Sequence, residues 1–138
     1  MIICGIELKS NNAILSVVNT TNNKIDYMNI KPAKIMLNDN ETKESITTFK
    51  DEIDSFIKDN NIEKIIIKKR ATKGTFAGGS VTFKMEAIIQ LNIYAEVVFI
   101  SSQAISKFTK KNDIPLPHNL HKYQEQSYLS ALVHVKNN

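Results

Sequence analysis

The chain has 138 residues, enough for one domain, and its 42% hydrophobic and 23% charged residues exclude a disordered polymer. No apolar run approaches the ~20 residues a membrane helix needs, and the lone cysteine, Cys4, permits no internal disulfide, so a reducing cytoplasm is expected. Lys plus Arg number 18 against 14 Asp plus Glu, a net +4 that admits a nucleic acid as partner without demanding one.

The opening MIICGIELK is too short and too strand-like for a signal peptide. Within it, Ile2 to Leu8 is apolar and β-branched and predicts a buried strand. Ser10-Asn11-Asn12 makes a turn, Ala13 to Val18 returns as a hairpin strand, and Thr20 to Lys24 is a second polar turn. Ile25 to Ile30 alternates as a third strand, which Pro32 ends because it lacks a ladder donor. The period then changes. Asn38 to Asn40 offers N-cap residues, and Ile46, Phe49, Ile53, Phe56 and Ile57 space an amphipathic helix that ends near Asn60-Asn61. Ile62 to Ile67 is too short for a helix and predicts a buried parallel strand. Arg70 to Gly79 reads as a glycine-bearing loop, and Ser80 opens a helix through Asn92 with a broad apolar face. Ala95 to Ile100 is a further strand, Ser101 or Ser102 caps a short helix, and Asn112 to Pro117 is a loop. Leu120 to Val135 closes the chain as a helix with Leu129, Leu132 and Val133 on one side. No repeat or linker divides the chain, so one domain over residues 1–138 is expected. The element order predicts an α/β fold with a mixed five-stranded sheet, three antiparallel strands then parallel ones, and helices on both faces.

Several residues carry candidate chemistry. Glu7 is a carboxylate in an apolar strand, where burial costs unless it is paired; it lies either in a cleft at the strand's carboxyl end or just past the sheet in solvent. Lys68, Lys69, Arg70 and Lys73 run from a strand into the glycine loop, either as phosphate contacts or as a solvated strand end. The loop residues Gly74, Phe76, Gly78 and Gly79 precede Ser80 at a helix N-terminus, whose N–H groups would suit an anion. It is not a Walker loop, since it lacks the G-K-[ST] ending and Lys84 lies too far into the helix; the plainer account is turn geometry with Ser80 as a cap. His118, His121 and Glu125 are too few and too dispersed for a zinc site, and His134 suits a helix C-terminus. Cys4 is expected to be a buried hydrophobe.

Three segments carry resemblances. C-G-I-E-L-K is similar to the first strand of RuvC-type resolvases, which opens G-I-D and holds a metal-binding carboxylate at the position of Glu7. K-K-R-A-T-K-G-T-F-A-G-G-S-V-T-F-K-M-E-A-I-I-Q-L closely resembles the bacterial family called domain of unknown function 3010, and this resemblance covers nearly the whole chain. Y-Q-E-Q-S-Y-L-S-A-L-V-H is similar to the last helix of the resolvases. Together they imply a ribonuclease H-like fold. Two departures stand out: Lys69 replaces a family glutamate, and Gln126, beside Glu125, replaces a resolvase aspartate. The resemblance therefore implies a site of Glu7, Lys69 and Glu125 with Glu7 the remaining metal-type ligand, and Glu7 and Lys69 paired across neighbouring strands. Lys68, Arg70, Lys73 and Lys84 would contact DNA or RNA. We expect a nucleic-acid-associated protein with a degenerate metal site, no bound cofactor and little or no nuclease activity. One alternative is an active Mg²⁺-dependent nuclease using Glu7, Glu125 and Glu86; another is a homodimeric interaction protein without nucleic acid.

Overall fold

The computed structural model describes residues 1–70 and 79–138. The chain opens with β1 (Ile2–Lys9), β2 (Asn12–Thr21) and β3 (Lys24–Met28), an antiparallel meander. Its turns use residues that tolerate left-handed backbone: Ser10 at φ 54°, and Asn22 and Asn23 at 52° and 65°. The chain then folds back as β4 (Lys34–Met36), which pairs with β2. Helix α1 (Lys43–Asp59), β5 (Lys64–Lys68), α2 (Ser80–Gln90), β6 (Glu96–Ile100), α3 (Ser102–Lys111) and α4 (Glu125–Lys136) follow, a 3-10 turn over Lys122–Gln124 leading into α4. The sheet runs β3-β2-β1-β5-β6 with β4 beside β2, so it has six strands among the described residues rather than the five expected. The added strand is three residues long, too short to show a period in sequence.

β1 lies at the centre because Ile3, Cys4 and Ile6 are buried on both faces, as are Ile65, Ile66 and Ile67 of its parallel neighbour β5. Alternation divides the core. Cys4, Ile6, Ile65 and Ile67 face α1 and α2, whereas Ile3, Val18 and Ile66 face α3 and α4. No helix among the described residues is long and apolar enough to cross a membrane.

The helix ends refine the expected boundaries. Thr42, not Asn38 to Asn40, caps α1: its Oγ1 accepts from the Ser45 N–H at 3.3 Å. Asp39 is engaged one turn earlier, its N–H donating to Ser45 Oγ at 2.7 Å. Ser101 caps α3 by accepting from the Ala104 N–H at 3.0 Å. For α2 the cap position is Gly79, with no side-chain bond, and Ser80 is already inside the helix rather than capping it.

Two of the helices whose apolar faces were read from sequence, α2 and α4, exchange characters. α2 buries one face, Thr82, Met85, Ile88 and Ile89, and leaves Leu91 beyond it 66% exposed. α4, expected to be one-sided, buries every residue from Ser127 to Val133. Its serines are satisfied inside: Ser127 Oγ lies 2.6 Å from Ser16 Oγ, and Ser130 Oγ donates to the Gln126 carbonyl at 2.7 Å. α4 can approach this closely because β1 offers Gly5 beneath it, where an added Cβ would sit 1.9 Å from the Ser127 carbonyl oxygen.

Candidate functional site

The carboxyl ends of β1 and β5 meet the start of α4 on the α3/α4 face of the sheet. The parallel register pairs Ile6 with Ile67, so one residue further Glu7 stands beside Lys68. Their side chains pair at 3.7 Å between Lys68 Nζ and Glu7 Oε2, and each is about four-fifths buried, at 22% and 19% exposure. The expected partner, Lys69, is a correction. It is one residue out of register, which turns a strand side chain to the opposite face. Lys69 is exposed, and its N–H continues the ladder by donating to the Ile100 carbonyl at 2.7 Å.

The other expected residues divide. Arg70 turns toward α2: its guanidinium pairs with Glu86 at 3.5 Å and lies 3.3 Å from the centre of the Phe83 ring. Glu86 stands on α2, packed against the opposite face from Glu7, so these carboxylates do not share a site. Lys84, also on α2, donates to the Asn40 carbonyl at 2.5 Å and to Asn40 Oδ1 at 3.1 Å. Glu125 and Gln126 open α4, half-buried. Lys73, Gly74, Phe76 and Gly78 lie outside the described residues. Gly79 is exposed, with open space where a Cβ would be.

A hard dication takes oxygen ligands, and two-ion phosphoryl chemistry surrounds ions about 4 Å apart with several carboxylates. The residues present do not fit such a centre. The one carboxylate on β1 faces an ammonium, and no group of three or more His, Cys, Asp or Glu able to hold a metal occurs among the described residues. Residues 71–78 contain none of those four types. Cys4, one strand position from Gly5, is no nucleophile: burial pushes its thiol up to about 12. His134 is held below the usual imidazole range by partial burial and by Lys64, so these outweigh the helix terminus that would favour its charge.

Several side chains that share this face were not singled out from sequence. Lys9 follows Glu7 by two residues and so projects on the same side. Lys34 of β4 is register partner to Ile14, which is itself partner to Glu7, so Lys34, Ile14, Glu7 and Lys68 form one row across four strands. Tyr123 of the 3-10 turn stacks on His121, rings 5.1 Å apart and 5° from parallel, with Lys34 Nζ 4.8 Å from its centre. Behind them Gln124 is fully buried: its Nε2 donates to the Leu15 carbonyl at 2.8 Å and its Oε1 accepts from the His121 N–H at 3.1 Å. The only signal in sequence was the period-two spacing of Glu7 and Lys9.

This architecture is found among solved structures at low identity. Thermus thermophilus RuvC superposes with a TM-score of 0.72 at 11% identity, over 97% of this chain and 93% of that one. A second T. thermophilus RuvC structure, in complex with a Holliday junction substrate, gives 0.66 at 12% over 97% and 92%. The Fowlpox virus resolvase in complex with Holliday junction DNA gives 0.61 at 18%, over 99% and 98%. These likenesses show the expected ribonuclease H-like fold. No curated protein matches. The glycine-containing first strand, the lysine-bearing end of β5 and the serines of the last helix all fall within residues 1–134, which match one family model, and the chain belongs to that family, protein of unknown function (DUF3010).

Proposed function

We propose that this protein binds nucleic acid through the face bearing Glu7 and Lys68 and does so without metal-dependent cleavage. The observation that carries this reading is the Glu7–Lys68 pair, which puts an ammonium beside the first-strand carboxylate. A strand phosphate drawn to that face meets the lysines at 9 and 34, both exposed. Support also comes from two solved structures of this fold in which the relative is bound to a Holliday junction. Such a protein would work in the cytoplasm as a single domain, where Cys4 stays reduced.

The test is an anisotropy titration of branched and duplex DNA at low salt, with Mg²⁺ or with EDTA. Binding should be the same in both, and the DNA should remain intact. Cleavage with Mg²⁺ that disappears in Glu7→Gln would establish the nuclease instead. Absence of binding at low salt, where attraction is least screened, would remove the nucleic-acid reading.

Self-association is a second reading, favoured by one feature. β6 ends the sheet among the described residues, and Ile93, Tyr94 and Phe99 in and before it are 87%, 45% and 37% exposed. Sedimentation equilibrium of the protein and of Phe99→Glu tests it; a dimer that the substitution dissociates is the supporting result.

A further inference from the structure

Beside the Glu7–Lys68 pair lies a hollow of about 240 Å³ that neither residue lines. Its walls are Lys9, Ser10 and Asn12 of the β1–β2 hairpin, Lys34 of β4 and Tyr123, with Ile14 among them. We propose that it is a subsite for one unpaired nucleotide of a nucleic-acid strand, the base stacking on the face of Tyr123 away from His121 as Lys34 moves off that ring to hold the phosphate with Lys9. This rests on the nucleic-acid reading above and adds to it which structural class of strand is recognised.

The chemistry follows from the lining. A nucleobase offers a flat polarisable face with an anion attached to its sugar, and aromatic platforms flanked by cations are how strands are held without regard to sequence. Tyr123 is 41% exposed, so part of its ring is within reach of a ligand. The turn that carries the platform is anchored before any ligand arrives. Gln124, the next residue, is 1% exposed and ties the turn to β2 through Leu15, so little ordering remains to be done on binding. Ile14, 5% exposed, supplies an apolar surface between the lysines. The volume lies below the ~300–1,000 Å³ of a pocket for a drug-sized molecule. It suits a single base. A base stacked in a duplex cannot enter without being extruded, so the site selects nucleotides already unpaired, as at bulges, branch points or single strands. The placement agrees: Lys9 and Glu7 are two residues apart on one strand, about 6.6 Å by the rise of an extended chain.

The experiment uses the full chain and two duplexes at low salt, one fully paired and one carrying a single unpaired 2-aminopurine. The unpaired probe should bind roughly tenfold tighter, the scale of one base–aromatic stack, and its emission should fall on binding. Tyr123→Ala should erase both the preference and the emission change while Tyr123→Phe keeps them. Lys34→Gln, on an exposed side chain, is the second variant and should weaken the unpaired probe more than the paired one. Equal binding of the two duplexes, unchanged in both variants, overturns the subsite and leaves the nucleic-acid reading standing. Failure of either duplex to bind overturns that reading and the subsite with it. If the free 2-aminopurine nucleotide is quenched at the same concentrations as the strand, the hollow is a mononucleotide site and the strand proposal is wrong.

Discussion

At the scale of single residues, steric room and desolvation decide more than charge. A methyl group on Gly5 would lie 1.9 Å from the Ser127 carbonyl oxygen and 3.1 Å from the Ala131 nitrogen, both backbone atoms that cannot swing aside. Gly5→Ala must therefore push α4 off the sheet, and we expect it to cost about 3 kcal/mol or more, the upper end of overpacking effects. Urea unfolding of the variant measures this, and an unchanged midpoint would show that α4 does not dock as described. Cys4 offers a second check. With its thiol pushed up to about 12 and 1% of its surface exposed, it should not react with an aromatic disulfide reagent at pH 8 until the chain is unfolded. Stoichiometric labelling of the folded protein at that pH would place β1 at the surface. The same logic explains why Gly5 was legible only as part of a motif: nothing in the string C-G-I-E says that a helix from the far end of the chain rests on it.

At the scale of elements, register assigns the functional partner. Lys68 and Lys69 are equivalent in composition and adjacent in sequence, but the parallel pairing of Ile6 with Ile67 sends them to opposite faces. Exchanging one lysine for a carboxylate therefore has different consequences at the two positions. Lys68→Glu places a second carboxylate beside Glu7, in a spot four-fifths buried, and should create a measurable Mn²⁺ site by calorimetric titration. Lys69→Glu, exposed and out of register, should not. Equal Mn²⁺ uptake by both variants would contradict the register. In the other direction, Glu7→Gln leaves the Lys68 ammonium without its partner in a partly buried place. We expect a loss of about 1 kcal/mol, since a pair that keeps one-fifth exposure is partly screened.

At the scale of the whole molecule, the lysines exposed on the Glu7 face come from separate strands: Lys9 from β1 and Lys34 from β4. Each phosphate neutralised on duplex DNA contributes about −0.9 to the slope of log K against log salt, so contacts by these two lysines predict a slope of about −1.8. Removing Lys9 should make it shallower by about one unit and weaken all sequences alike, without unfolding the chain, because the side chain is exposed. A slope that stays unchanged on removing Lys9 would move the contact surface to another face. Lys68 and Arg70, both named from sequence as phosphate contacts, are already held by Glu7 and Glu86 and are left out of this slope.

The central strands, the polar turn between Thr20 and Lys24, the α1 core face and a serine cap at 101 or 102 were legible in the sequence, because each is set by neighbours a few positions away. Burial of Ile65 to Ile67, the period of Phe49, Ile53, Phe56 and Ile57, and left-handed turns at asparagine are local consequences of side-chain shape and spacing. The family resemblance was legible for a related reason, since it resides in contiguous motifs. What only the tertiary structure decided involves partners far apart in the chain. Gln124 bonds Leu15 across 109 residues, Ser127 meets Ser16 across 111, and Lys34 reaches the Tyr123 ring. Polar residues at such positions read as surface in a linear string, because their satisfaction inside depends on donors and acceptors that only folding brings within 3 Å. The exchange of Lys69 for Lys68 has the same origin. A strand's face is known only when its register to a neighbour is known, and that register is set by the packing of the whole sheet against its helices.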